Sequence, residues 1–110
     1  NENTIEMQEE FKVLLLNRAN KVIGVYEASA GGLTGTVADP RLILAAAIKS
    51  LAVSIVLSHN HPSGNLKPSR ADEELTQKIK TAAAYHDIKV IDHIIITSEG
   101  YYSFANEGLL

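Results

Sequence analysis

Residues 51–72 have the sequence LAVSIVLSHNHPSGNLKPSRAD, which predicts a strand, a turn-rich loop and the start of a helix in direct succession. Val53–Leu57 is short and rich in β-branched residues, as strands are. Ser58–Gly64 combines Asn, Pro, Ser and Gly, which are typical of turns. A helix is predicted to begin near Ser69 and to run to about His86. A strand that leads through a loop into a helix is the unit from which α/β folds are built.

The segments on either side supply the rest of a sheet and a second helix. Strands are predicted at Phe11–Leu16, Val22–Tyr26, Ile88–Thr97 and Tyr101–Phe104, and a helix from Asp39 to about Leu51. The first strand is an almost unbroken apolar run, so we expect it to be buried on both faces. Asn17–Asn20 connects it to the second strand as a hairpin, and Asp39-Pro40 is a typical N-cap followed by Pro at the first helical position.

A glycine-rich stretch and the order of the elements complete the predicted fold. Gly31, Gly32 and Gly35 break the segment after the second strand into a loop and a short strand. The order of elements predicts an α/β (α+β) fold with a mixed central sheet flanked by helices.

Length and composition indicate a single soluble domain over residues 1–110. The formal net charge of −3 is not that of a nucleic-acid-binding surface, and the absence of Cys excludes a disulfide scaffold, a thiolate metal site and a Cys nucleophile. Leu42–Ile48 is the longest apolar run and is far too short to cross a membrane. We expect a cytoplasmic protein, and because the chain starts at Asn1 without Met, the C-terminal part of a longer one. The oligomeric state is not indicated.

His59 and His61 are the first candidate metal ligands. Residues two apart in an extended chain point to the same side, about 6.5–7 Å apart along the strand. Asp72 follows in the first turn of the predicted second helix, where its carboxylate could face the two imidazoles. Three protein ligands leave the fourth position of a tetrahedral zinc site open, as in catalytic sites. The alternative is a hydrogen-bonded polar patch at His59 and His61, with Asp72 serving only the helix dipole.

A hydrolytic site of this kind also needs a proton acceptor and a group that stabilises an oxyanion. Glu9 and Glu10, directly ahead of Phe11, are the candidate acceptors, although two acids at a strand start are also typical of a solvated surface. Ser69 could donate its hydroxyl to an oxyanion. Ser69 and Asp72 also form an S-x-x-D pattern close to a capping box, and the two roles do not exclude each other.

The two other histidines are weaker candidates. His86 lies near the predicted C-terminus of a helix, where a capping role is common. Asp92 and His93 are neighbours in a strand, so their side chains point to opposite faces. Either Asp92 or His93 could form a hydrogen bond to a metal ligand without binding the metal itself.

The spacing of these residues resembles a known motif. His59-x-His61, seven residues, Ser69, two residues and Asp72 match the H-x-H-x7-S-x2-D motif of the JAMM (MPN+) metalloprotease family. The likeness is greatest to its RadC-like branch and extends from about Glu9 to Gly108. It is carried by SHNHPSG at 58–64, PSRAD at 68–72, DHII at 92–95 and YSF at 102–104.

The resemblance implies a cytidine-deaminase-like α/β/α sandwich and a zinc-dependent metallopeptidase acting on peptide or isopeptide bonds. In this family His59, His61 and Asp72 would bind Zn²⁺, and Ser69 would stabilise the tetrahedral intermediate. The water-activating Glu corresponds best to Glu9, with Glu10 as the second choice.

The resemblance also implies two rival functions. RadC-like proteins carry a DNA-repair name, and any contact with nucleic acid is expected only through a helical N-terminal region that this chain lacks. A non-enzymatic binding module on the same fold is the other alternative. The substrate is expected to be a peptide or protein whose identity the sequence does not indicate.

Overall fold

The computed structural model describes residues 9–30 and 38–110. They form five strands and two helices: β1 Glu10–Leu16, β2 Val22–Ala30, α1 Pro40–Lys49, β3 Ser54–Asn60, α2 Arg70–Ala84, β4 Lys89–Thr97 and β5 Gly100–Ser103. The predicted loop and short strand at Gly31, Gly32 and Gly35 lie outside the described residues. Neither described helix has both the length and the apolar character needed to cross a bilayer.

The strands form one mixed sheet in the order β2-β1-β3-β4-β5. β1 pairs antiparallel with β2 and β3, β3 pairs parallel with β4, and β5 returns antiparallel to β4. The parallel pair requires a crossover, which α2 provides between β3 and β4. The predicted mixed sheet with flanking helices is therefore confirmed.

Both described helices pack against the same face of the sheet. Their buried residues Ile43, Ala47, Ile79 and Ala83 belong to one core cluster with alternate residues of β1 and β3. A helical layer on the opposite face, which an α/β/α sandwich implies, is not among residues 9–30 and 38–110.

The expectation that β1 is buried on both faces is wrong. Phe11, Val13 and Leu15 are buried, whereas Lys12 and Leu14 between them are half-buried. The strand is central and paired on both sides, but the described helices cover only one face of it. Every second side chain of β1 therefore packs against the helices, and those between them face the other side of the sheet.

Two predicted strand boundaries also differ from the structure. β2 continues four residues beyond the expected end at Tyr26, to Ala30, and β3 continues three residues beyond Leu57, to Asn60. Residues 58–60 are typical of turns, but they continue β3 because the strand pairs with β1 on one side and with β4 on the other. His59, for example, lies opposite both Phe11 and Ile95. This ladder places His59 inside the sheet and His61 just beyond it.

Candidate metal centre

His59 is held in the sheet by the ladder and by stacking. The residue is 3% exposed, and its ring lies nearly parallel to that of Phe11, with centroids 5.5 Å apart and an interplanar angle of 10°. At the edge of the same ring, His59 Nδ1 lies 2.8 Å from His93 Nε2. These contacts leave Nε2 of His59 as the atom directed toward the end of the strand.

His61 follows β3 and is oriented by the loop after it. Its backbone N–H donates to Ile96 O at 3.0 Å, and its carbonyl accepts from Gly64 N at 3.0 Å. Gly64 has φ +85°, a conformation that suits Gly and few other residues. The resulting turn brings the carbonyl of Asn65 to 2.7 Å from His61 Nδ1. A carbonyl only accepts, so Nδ1 carries the hydrogen and Nε2 is the free nitrogen.

Asp72 is placed by the start of α2. Ser69 is the N-cap: its hydroxyl accepts from Asp72 N at 3.0 Å, and its own N–H donates to Asp72 Oδ2 at 2.7 Å. This reciprocal pair is a capping box with Asp in place of the usual Glu. The box turns the Asp72 carboxylate toward the histidines, so the predicted cap and the predicted orientation toward His59 and His61 occur together.

The ligand atoms of the three residues meet at one point. His59 Nε2 and His61 Nε2 are 2.8 Å apart, Asp72 Oδ1 lies 3.3 Å from the former, and Asp72 Oδ2 lies 3.1 Å from the latter. One ligand atom from each residue lies within 4.8 Å of the others, a group that could hold a metal ion. The sequence predicted this convergence.

The hydrogen-bond pattern tests whether a cation fits there. His61 must keep its hydrogen on Nδ1, and the contact of His59 Nδ1 with His93 is satisfied when His59 donates. Two nitrogen lone pairs and a carboxylate then face one another at close range, an arrangement that repels itself unless a positive charge lies between them. Imidazole nitrogens with a carboxylate oxygen are a donor set suited to Zn²⁺.

The electrostatics of the group favour a negative charge on Asp72. Burial opposes its ionisation. Without a metal ion, protonated His59 and His61 rings can donate to Asp72, and these hydrogen bonds, with that from the Ser69 backbone, outweigh burial and hold the pKa of Asp72 well below its usual range. The same hydrogen bond with Asp72 raises the pKa of His61, and the charge of Glu9 adds to this increase. Asp72 is therefore a carboxylate, the form that a metal ion requires.

The two candidate acids ahead of β1 lie in different surroundings. The backbone N–H of Glu10 donates to Asn60 Oδ1 at 2.5 Å, and its carboxylate pairs with Lys12 at 3.7 Å. Continuing the antiparallel register of β1 and β3 places Glu9 opposite His61 and on the face of Phe11 and His59. The effect of the Glu9 charge on the pKa of His61 agrees with this position.

His93 and Asp92 have separate surroundings, as their alternation in β4 predicted. Burial lowers the pKa of His93 to about 3, so the ring is neutral near pH 7. It stacks on Phe104 with centroids 4.5 Å apart, and its Nδ1 contacts Thr76 Oγ1 at 2.5 Å. Asp92 instead accepts from Ser103 Oγ at 2.6 Å and from Ala105 N at 3.0 Å, contacts that fasten the chain after β5.

Thr76 was missed at the sequence level. It is fully buried in the second turn of α2, and a Thr at this point of a helix does not by itself indicate a polar contact. Only the packing of α2 against β4 brings it to His93. His86, by contrast, lies exposed just after α2, near the helix end as expected.

Comparison with known proteins gives a consistent result. The model of the RadC-like JAB domain family matches residues 1–109. A protein named UPF0758 from Flavobacterium johnsoniae is 50% identical over 101 residues, covering 92% of this chain and 44% of that protein. A UPF0758 protein from Porphyromonas gingivalis is 49% identical over 104 residues, covering 94% of this chain and 46% of that protein. The chain thus spans less than half the length of these relatives.

Proposed function

This chain belongs to the RadC-like JAB domain family, and from that premise we propose that it is a zinc-dependent hydrolase that cleaves a peptide or isopeptide bond. The observation that carries the proposal is the convergence of His59 Nε2, His61 Nε2 and the Asp72 carboxylate on one point. Three ligands leave a coordination position open, which distinguishes catalytic from structural zinc sites.

His59, His61 and Asp72 would hold the ion, and each is fixed from behind by a separate hydrogen bond. A divalent ion bound there supplies a Lewis acid that polarises a carbonyl and makes water a stronger nucleophile near neutral pH. We expect this ion to be zinc because its ligands would be two imidazoles and one carboxylate.

Glu9 is the proposed general base. The register of β1 and β3, continued by one residue, and the effect of the Glu9 charge on His61 support a carboxylate near the ligand group. There Glu9 would take a proton from the attacking water and return it to the leaving amine. Glu10 remains the second choice, because its carboxylate pairs with Lys12 and the neighbouring position in the strand faces the other side of the sheet.

Ser69 is the proposed oxyanion donor. Its oxygen accepts the Asp72 N–H, so its own hydrogen is left for another acceptor. The capping box holds this hydroxyl next to the Asp72 carboxylate, where it can donate to a carbonyl oxygen that gains negative charge.

DNA cleavage is less well supported. Nucleases of the two-metal type place two ions about 3.5–4 Å apart, whereas the described residues gather one group of three ligands. A net charge of −3 also disfavours tight binding to phosphates.

The test begins with the metal content of the domain purified in chelator-free buffer. We expect about one zinc per chain, lost in His59→Ala and kept in His86→Ala, which changes an exposed histidine outside the ligand group. The zinc-loaded domain is then assayed against a library of peptide and isopeptide reporters, with and without chelator. A wild-type domain without metal at neutral pH, or a loaded domain without turnover on both reporter types, would contradict the proposal.

A further inference from the structure

A run of buried hydrogen bonds links the backbone of Asp72 to the ligand His59. Thr76 Oγ1 lies 2.7 Å from the carbonyl oxygen of Asp72 and 2.5 Å from His93 Nδ1. His93 Nε2 lies 2.8 Å from His59 Nδ1, and His59 Nε2 ends the run 3.3 Å from Asp72 Oδ1. The run of hydrogen bonds therefore begins at the main chain of Asp72 and ends at the His59 ring, whose Nε2 faces the side chain of the same Asp72.

The chemistry of each partner determines the direction of every bond in the run. The carbonyl of Asp72 only accepts, so the single hydroxyl hydrogen of Thr76 points to it. Thr76 Oγ1 must then accept from His93 Nδ1, which leaves His93 Nε2 as the acceptor. His59 Nδ1 accordingly donates to His93, and its Nε2 carries a bare lone pair on the side of the metal site.

Packing keeps the rings of His59 and His93 from forming other hydrogen bonds. Thr76 and His93 are fully buried, and His59 is 3% exposed. Phe11 stacks on His59 and Phe104 stacks on His93, so each ring plane is held. With solvent excluded and the planes fixed, the hydrogen-bond partners alone choose which ring nitrogen carries the hydrogen.

We infer that Thr76 and His93 are positioning residues that hold His59 in the tautomer whose Nε2 faces the metal site. The inference rests on the metal site of the proposed function. A ligating histidine that donates its other N–H to a fixed acceptor is a better metal ligand, because its tautomer and orientation need not be selected when the ion binds. The acceptor here is a neutral histidine, itself oriented by a threonine on the helix that carries Asp72.

Thr76→Val and Thr76→Ser form the matched pair for the test. Valine keeps the branched shape of the side chain and removes the hydroxyl, whereas serine keeps the hydroxyl and removes a methyl group. Zn²⁺ and Co²⁺ affinity is measured at neutral pH by competition with a chromophoric chelator, after circular dichroism has shown that each variant is folded. We expect Thr76→Val to bind both ions about 10–100-fold more weakly, and Thr76→Ser to stay within about threefold of wild type.

Nitrogen-15 NMR of the histidine rings reads the tautomer directly. In the zinc-loaded wild type we expect the hydrogen of His59 on Nδ1 and the metal on Nε2. In the metal-free domain at mildly alkaline pH the hydrogen is again expected on Nδ1, and Thr76→Val should give a mixture of tautomers. This measurement on wild type decides the inference even where Thr76→Val fails to fold.

The outcomes separate the inference from the proposed function. Metal binding by wild type with unchanged affinity in a folded Thr76→Val would overturn the inference and leave the metal site in place, since a purely structural threonine would alter stability alone. A His59 that carries its hydrogen on Nε2 would overturn it as well. A wild-type domain that binds neither ion would refute the proposed function, and the metal-free NMR spectra would then decide the tautomer by themselves.

Discussion

The carboxylate of Asp72 takes part in both the capping box of α2 and the candidate metal centre, and two substitutions separate these roles. Ser69→Ala removes the hydroxyl that accepts Asp72 N–H and leaves the carboxylate in place. Asp72→Asn keeps an amide oxygen that can still accept the Ser69 N–H, but it removes the negative charge that His59 and His61 face.

Ser69→Ala is expected to lower mainly the unfolding free energy, and Asp72→Asn mainly the affinity for zinc. Loss of an N-cap side chain costs about 1 kcal/mol of unfolding free energy. For 110 residues, the unfolding entropy is roughly 0.23 kcal/mol/K, so Ser69→Ala should lower Tm by about 4 °C. Because Ser69→Ala leaves all three ligands intact, its zinc affinity should fall by no more than about tenfold, the low end for residues that orient a ligand. Asp72→Asn removes a ligand charge outright, so its zinc affinity should fall by more than about 100-fold, beyond the range for such orienting residues.

Two assays measure these effects separately. Thermal and urea unfolding of the chelator-treated proteins gives stability without metal, and chelator competition gives zinc affinity at neutral pH. We expect Ser69→Ala to be affected mainly in the first assay and Asp72→Asn mainly in the second. Zinc affinity within about threefold of wild type in a folded Asp72→Asn would refute the reasoning, because the carboxylate would then serve only as a helix cap.

Three further predictions concern the base, acid stability and a strained helix end. Glu9→Gln should abolish hydrolysis while zinc stays bound, and Glu10→Gln should keep most activity; equal loss in both would contradict the assignment of Glu9. Burial lowers the pKa of His93 from 6.5 to about 3. As pH falls, the unfolded metal-free chain therefore protonates at this histidine before the folded chain does. The unfolding free energy should be fully present above about pH 6.5 and should fall by up to about 5 kcal/mol as pH approaches 3. His93→Gln should flatten this dependence in urea unfolding between pH 7.5 and 4.5, and parallel curves would count against the buried neutral ring. Leu51 is 82% exposed with φ 60°, a left-handed conformation that suits Gly; Leu51→Gly should therefore raise the unfolding free energy by about 0.5–1 kcal/mol, and a lower Tm would show that the leucine makes a stabilising contact.

Much of the site was predictable because its signals are local. The turn after His61 and the capping box at Ser69 each involve residues within four positions of one another. Such contacts follow from side-chain chemistry and backbone preference, whatever the rest of the chain does. The ligand set His59, His61 and Asp72 could therefore be named from spacing.

Other features depended on how the strands pair. Glu9 and Glu10 are equivalent as acids ahead of a strand, and the register of β1 against β3 places Glu9 opposite His61 while Glu10 contacts Asn60 and Lys12. A shift of one residue would exchange their faces. The length of β3 was underestimated for the same reason, since pairing on both sides overrode the turn preference of its last residues.

The sequence by itself determined the order of elements, the helix starts and the three residues that could bind a metal ion, because these depend on neighbours along the chain. Only the tertiary structure decided the strand register that, continued by one residue, sets Glu9 opposite His61. It also decided which face of β1 is covered and that Thr76 contacts His93 and His93 contacts His59. Those contacts join residues 17 and 34 positions apart, and they form only when α2, β4 and β3 pack together. Hydrogen bonds across such distances depend on the register of strands and the docking of a helix, which no local pattern of residues encodes.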